Sequence, residues 1–212
     1  AIHLMCPVIG QHPDWPVCIT GGCALNVLTN QRLRDAGYTI HVPPNPNDAG
    51  VALGLVLLND PPETWPISVT GVQPIERMMG DAVYDQTIDF CGSVQVDIED
   101  IVNHLYEGKI LGLFCGDSEA GPRALGHRSI ICRADRADLK TRLNAEIKCR
   151  ESFRPFAPAV LSSDKSEYFE MDANHDSPFM SFSPRVKNPR DLEAIAHVDG
   201  TARVQTVDDP SS

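Results

Sequence analysis

What this 212-residue sequence lacks narrows its chemistry before any motif is read. Its seven cysteines, Cys6, Cys18, Cys23, Cys91, Cys115, Cys132 and Cys149, include no Cys-x-x-Cys pair and are odd in number. That argues against a structural zinc site and against a fully paired disulfide framework. Scattered reduced thiols are the expectation, and they suit a cytoplasmic protein. No window approaches the ~20 apolar residues of a membrane-crossing helix, and no charged-then-apolar leader opens the chain. There is no Gly-x-Ser-x-Gly elbow, no Cys–His pair that demands covalent catalysis, and no Gly-x-x-x-x-Gly-Lys-Ser/Thr phosphate loop. Repeats and low-complexity tracts are absent as well. Basic residues are scarce: 18 Lys and Arg stand against 29 Asp and Glu, a formal net charge of −11. Bulk nucleic-acid binding, which needs an extended basic face, is thereby disfavoured.

The basic residues that are present cluster. Between Gly121 and Arg154 nine Lys or Arg stand against four Asp or Glu, a local net of +5 that leaves the remainder at −16. Such an island in an acidic chain reads as a pocket for a compact anion, most simply a phosphate compound. Gly121, Pro122 and Gly126 make a constrained turn around Arg123, and Arg128 follows five residues later. Glycine admits close approach of a ligand to the backbone, and the planar guanidinium fork matches phosphate or carboxylate. Leu139, Leu143 and Ile147 fall at i, i+4 and i+8, so a helix is expected from Asp138 to Lys148. Arg154-Pro155-Phe156-Ala157-Pro158 then runs extended and proline-stiffened. Arg133, Arg136, Lys140 and Arg142 are expected on a solvated helix face, whereas Arg123 and Arg154, set among Gly, Pro and Phe, are expected to face a ligand.

Length allows one large or two small domains, and 42% hydrophobic residues support a real core. Val17 to Gly22 reads as a short buried strand, Cys23 to Asp35 as a helix closed by Gly37, Tyr38 to Val42 as a second strand, and Asp48 to Leu58 as a small-residue, apolar helix. This β–α–β–α order points to an α/β layer. Residues 61–74, rich in Pro, Thr and Val, read as a linker. Beyond it a helix is expected from Ile98 to Glu107, a buried strand from Ile110 to Cys115, and strands at Val83–Val96 and Phe179–Val186. The turn after the first strand has its own possibility: Gly21-Gly22 presents backbone N–H groups at a helix start, and Asn26, one turn in, either reaches a ribose or phosphate or simply caps the helix. Asp48 stands at a helix start, where an Asp is commonly an N-cap.

GPRALGHRSI, KCRESFRPFAP, SPFMSF and HVDGTARVQTV, with GGCALN and NDAGVALG upstream, resemble in order the carbamoyltransferases of the nodulation-factor, cephamycin and tobramycin type. The resemblance runs from about Val17 to Val207. It implies the C-terminal part of an actin-like ATPase-type domain over residues 1–60, similar to enzymes of tRNA threonylcarbamoylation, then the linker at 61–74, then an α+β YrdC-like domain over 75–212. Gly21, Gly22 and Asn26 would contact the nucleoside of a bound adenylate. Asp48 would be a ligand of a divalent metal, iron or similar, held mainly by histidines that this sequence does not contain. Arg123, Lys148 and Arg154, with Arg128, Ser129 and Arg203, would neutralise ATP, its magnesium and carbamoyl phosphate. Carbamoyladenylate would form there, and the carbamoyl group would pass to a hydroxyl of a small-molecule acceptor such as a natural product or a sugar.

The family's N-terminal half and its closing C-terminal segment are not recognised in these residues. The chain is therefore expected to be a piece that works with the missing N-terminal half of the same enzyme, without membrane or nucleic-acid partners. The competing reading is a non-catalytic nucleotide- or RNA-binding YrdC-like module. It would need aromatics interleaved with the basic residues, and only Phe153 and Phe156 qualify.

Overall fold

The computed structural model of the chain describes residues 2–12, 14–59, 94–115 and 118–208. The expected linker at 61–74 and most of the expected strand at 83–96 lie outside these residues; 94–96 are described and are not strand. Contacts group the chain into two compact units, one made of Ala1–Pro61 with Ala134–Ser212, the other of Pro62–Arg133. Among the described residues the six strands are short and pair two by two, so the fold there is mixed α/β with small sheets.

In the first unit, helix α1 (Ile2–Ile9) precedes strand β1 (Val17–Cys18), which pairs in parallel with β2 (Ile40–His41), Val17 opposite Ile40. Helix α2 (Val27–Asp35) crosses between them, as the expected strand–helix–strand order requires. Its start is set by Asn26, whose Oδ1 accepts from the Thr29 N–H at 3.1 Å. Its end is set by Gly37 at φ 91°, a left-handed position that suits glycine. The expected single helix from Cys23 is in fact a 3₁₀ turn, Gly22–Leu25, followed by α2. Asp48–Gly50 is likewise a 3₁₀ turn leading into α3 (Val51–Asn59), an apolar helix with none of its residues buried. A Cβ at Gly50 would meet the Asn45 carbonyl oxygen at 2.1 Å, so that turn closes only with glycine.

The unit has two apolar clusters. One gathers Ile19, Ala24, Leu33, Ile40, Val42 and Phe182; the other gathers Phe169, Met171, Val186, Ala194, Ile195, Ala202 and Val204. Phe182 thus ties the chain's later part to its first sheet, and burying such a ring is worth about 1.5–3 kcal/mol. Polar contacts repeat the tie. Fully buried Asn30 donates to the carbonyls of Ala24 (2.8 Å) and Ser181 (3.0 Å), and Gln31 Oε1 accepts from the Ser183 N–H at 3.2 Å. The expected strand at Phe179–Val186 is broken into isolated bridges at Phe182, Arg185 and Val186. Met180 stands at φ 55°, which no strand residue adopts, and Pro184 has no N–H to give a ladder. Strand β5 (Ala159–Leu161) pairs in parallel with β6 (Gln205–Val207), and between them lies the short helix α6 (Lys165–Tyr168).

In the second unit, helix α4 (Ile98–Tyr106) is capped by Asp97, which accepts from the Asp100 N–H at 2.8 Å. Strands β3 (Leu111–Phe114) and β4 (Arg128–Ile131) form an antiparallel pair, Leu111 opposite Ile131 and Phe114 opposite Arg128. Strand β3 was expected to be buried. Its residues instead alternate between half-buried and exposed, the pattern of a sheet covered on one face.

Candidate functional site

The turn between β3 and β4 is built on one carboxylate. Glu119 Oε1 accepts backbone N–H groups from Leu125 (2.7 Å), His127 (2.8 Å) and Arg128 (3.2 Å). Burial by itself would raise the Glu119 carboxyl, but these donors outweigh it and hold the group down at about 2, against an ordinary 4.5. Gly121 (φ 148°) and Gly126 (φ 111°) take the left-handed backbone that the turn demands. The space beside Gly126 is open, so a ligand atom could approach its backbone. Inside this frame Arg123 is half-buried, and burial lowers its pKa. Ser129 Oγ accepts from the Gly126 N–H at 3.0 Å. Arg128 lies 3.5 Å above the Phe114 ring and donates through Nη1 to the carbonyls of Cys115 and His127, both at 3.0 Å. These contacts engage Arg128 with its own hairpin. His127 Nδ1 pairs with the Cys115 carbonyl at 3.1 Å.

The other half of the basic island belongs to the first unit. Helix α5 (Ala137–Arg142) starts where expected but passes into a π-helical turn, Leu143–Ile147. Such turns are rare and commonly mark functional positions. Here the turn places Asn144 fully inside, where it organises the following loop. Asn144 Nδ2 donates to the carbonyls of Arg154 (2.9 Å) and Ser152 (3.4 Å), and its Oδ1 accepts from Arg150 Nε at 2.7 Å. Arg150 in turn lies 4.7 Å from the Phe156 ring centroid. Cys149 turns the chain at φ 46°. Lys148, just before it, is exposed, and Arg154, also exposed, pairs with Glu151 at 2.8 Å. Arg203 is half-buried between Ala202 and Val204, and its charge reaches His197. An open hollow of about 510 Å³ lies in the same unit, lined among others by Lys140, Ser152, Arg190 and His197. The sequence places Lys140 on a plain solvated face; the structure puts it in this concavity.

At the first strand–helix turn, Gly21 (φ 81°) and Gly22 are exposed with open space beside both. The Gly21 N–H is engaged by the Pro46 carbonyl at 2.6 Å. Asn26 realises the capping alternative through Oδ1; its amide nitrogen makes no hydrogen bond among the described residues. Asp48 is exposed and is the first residue of its 3₁₀ turn rather than its cap. Preceding it in the same loop, Asn45 Oδ1 and Asn47 Oδ1 are buried with no hydrogen-bond partner among the described residues. Among the described residues no group of three or more His, Cys, Asp and Glu could hold a metal ion.

Sequence reasoning missed Glu119 and Asn144, the two residues that fix the loops around Arg123 and Arg154. An acid beside a glycine turn and an amide inside a helical apolar stripe are the only signals the sequence offered. It also missed His175, which is 2% exposed, lies edge-on to Phe182 and leaves Nε2 buried with no partner among the described residues. Burial, then the charges of Arg34 and Lys165, lower its pKa to about 4.

Residues 102–212 match the family described as Carbamoyltransferase C-terminus, and residues 11–57 match Carbamoyltransferase N-terminus. The chain belongs to the carbamoyltransferase family. It is 38% identical over 208 residues to Nodulation protein NolO of Bradyrhizobium diazoefficiens, covering 90% of this chain and 37% of that protein. To Nodulation protein U of Sinorhizobium fredii it is 35% identical over 212 residues, 93% of this chain and 36% of the relative. To the 3'-hydroxymethylcephem-O-carbamoyltransferase of Streptomyces clavuligerus it is 32% identical over 200 residues, 91% of this chain and 36% of the relative. The chain thus spans about a third of the length of the curated relatives it matches. No helix among the described residues is long and apolar enough to cross a membrane.

Proposed function

We propose that the whole protein is an O-carbamoyltransferase that activates carbamoyl phosphate with ATP and transfers the carbamoyl group to a hydroxyl of a small molecule. The observation that carries this reading is the family match across both regions, with the basic motifs falling inside it. A relative named for O-carbamoyl transfer to a hydroxymethyl cephem supports a small hydroxyl acceptor. The chemistry balances with one water. Carbamoyl phosphate loses phosphate to water, the resulting carbamate oxygen attacks the α-phosphorus of ATP and displaces pyrophosphate, and the acceptor hydroxyl then takes the carbamoyl group and releases AMP. No protein nucleophile is required; the protein's task is orientation and charge neutralisation.

The roles proposed for individual residues follow from that demand. Arg123 in one unit, and Lys148, Arg154 and Arg203 in the other, bind phosphate oxygens; Arg128 and Ser129 support the first, and Gly21, Gly22 and Asn26 serve the adenylate. Lys148 is exposed, and Arg154, whose backbone carbonyl is held by Asn144, would exchange its exposed Glu151 partner for the anion. The actin-like assignment of 1–60 and the YrdC-like assignment of 75–212 belong to the same proposal, although the described residues pack across that division at Phe182.

Asp48 and the two orphaned asparagine oxygens beside it are oxygen donors that suit a divalent cation. Asp48 would hold the metal, and a bound cation would polarise the acceptor step as a Lewis acid. The rest of the same protein is the proposed partner, with magnesium accompanying ATP. A cytoplasmic location fits these co-substrates. The test is pyrophosphate release by the full-length protein. Release is expected only with ATP and carbamoyl phosphate together; release without carbamoyl phosphate, or none with both, would contradict the reading.

A further inference from the structure

We propose that Asn30 is a positioning residue for the Gly21-Gly22 turn: its amide nitrogen clamps that turn to residues 177–183 and so sets where the turn meets adenylate. The adenylate role of Gly21 and Gly22 is the one proposed above, and the inference rests on it.

The turn is pinned at two points. At its start the Gly21 N–H donates to the Pro46 carbonyl at 2.6 Å. At its end the Ala24 carbonyl accepts from Asn30 Nδ2 at 2.8 Å, and the Ala24 N–H donates back to the Gly21 carbonyl at 3.0 Å. Between the two pins Gly22 is exposed, with open space beside it and an N–H that no described residue engages. A 3₁₀ turn of four residues, Gly22–Leu25, has too few internal bonds to hold that N–H in one place by itself. The second proton of Asn30 Nδ2 goes to the Ser181 carbonyl at 3.0 Å, 151 residues away in the chain. One nitrogen therefore holds the turn and its support at once.

Two further observations separate this clamp from ordinary docking. The first is that the support is itself held. Fully buried Ser177 accepts through Oγ from the Ser181 and Phe182 N–H groups at 3.2 and 3.3 Å. The Ser177 N–H donates to Thr206 Oγ1 at 2.8 Å, and Ser183 Oγ donates to Thr201 Oγ1 at 3.0 Å. The segment is thus bolted to the chain on both sides of Arg203, one of the cations proposed to bind phosphate. The second observation is the chemistry of Asn30. Both Nδ2 partners are carbonyls, which fixes the orientation of the amide. Oδ1 is left buried with no partner among the described residues. A fully buried position that only filled space would be served better by leucine, which leaves no acceptor unmet. What the amide contributes is its two donors.

Titration of the full-length, glycine-labelled protein with AMP, read at the Gly22 amide by NMR, tests it. In native protein the Gly22 shift should saturate. Asn30→Leu removes both donors at similar volume and should raise the midpoint about 10-fold. Gln31→Leu is the control: it removes the neighbouring bond from the Ser183 N–H and loosens the same dock without touching the Ala24 carbonyl. Both variants should melt at lower temperature, but Gln31→Leu should keep the native midpoint. Equal midpoints in native protein and Asn30→Leu, an equal rise in both variants, or a Gly22 amide that ignores AMP in native protein would each overturn the proposal. If Asn30→Leu does not fold, the Asn30 side-chain amide of asparagine-labelled native protein is followed instead. It should shift along the same AMP curve as Gly22, and no response there would overturn the proposal. Pyrophosphate release by native protein with an unchanged Asn30→Leu midpoint would sink this role alone; the expected midpoint change without pyrophosphate release would sink only the wider function.

Discussion

Glu119 carries more of the glycine turn than any arginine the turn displays. Three N–H groups converge on one oxygen, and a protonated carboxyl would hold them far less well. Because its folded-state pKa is depressed to about 2, its contribution is complete above pH 4.5 and is lost as pH falls from there toward 2. Amide shifts of Leu125 and His127 followed by NMR should move through that window. In Glu119→Gln they should stay flat, with a stability loss of about 1–3 kcal/mol. His175 works in a higher window. Its pKa of about 4, against 6.5 for an ordinary histidine, means that its contribution is full above 6.5 and is lost as pH falls toward 4. The cost should reach about 2 kcal/mol by pH 5, at 1.36 kcal/mol per unit. Thermal melts of native protein and His175→Gln should therefore diverge in their pH slopes between 7 and 5; parallel slopes would remove the buried-neutral role.

Helix α5 and the turn that follows show how far an element can be read in advance. Leu139 and Leu143 sit in the core as their spacing requires, but Ile147 is 46% exposed. The stripe fails at its end because a π-helical turn shifts the register. A periodic pattern reports which residues want burial; it does not report that Asn144 can satisfy two loop carbonyls only from inside that turn. Asn144→Ala should cost about 1–3 kcal/mol by leaving those groups unmet. It should also loosen the loop bearing Arg154, seen as faster amide exchange at residues 150–154. Unchanged exchange there would mean that the loop holds itself. The same contrast recurs in α2. Its Asn26 start and Gly37 stop were legible, because caps are local chemistry. Its role as a dock for residues 181–183 was not, because Asn30 and Gln31 look like surface residues until their distant partners are known.

Across the whole molecule, the −11 charge hides a basic island whose members fall in both compact units. The family was legible because its motifs are short and ordered. The grouping of residues 134–212 with 1–61 was not, since long-range packing leaves no local trace. One consequence is direct. A protease site engineered between Pro61 and Pro74 should, after cleavage, leave the two pieces co-eluting in gel filtration. Phe182→Ala, which should cost about 3–5 kcal/mol, should release them. We propose that Arg123, Lys148, Arg154 and Arg203 neutralise phosphate during carbamoyl activation. The most direct test is the rate of carbamoyl-phosphate-dependent pyrophosphate release by full-length Arg154→Ala, with Arg136→Ala as the control. The expected loss for Arg154→Ala is about 2–4 kcal/mol of transition-state stabilisation, roughly 30- to 1,000-fold in rate, with Arg136→Ala near native. A native rate in Arg154→Ala would contradict the account.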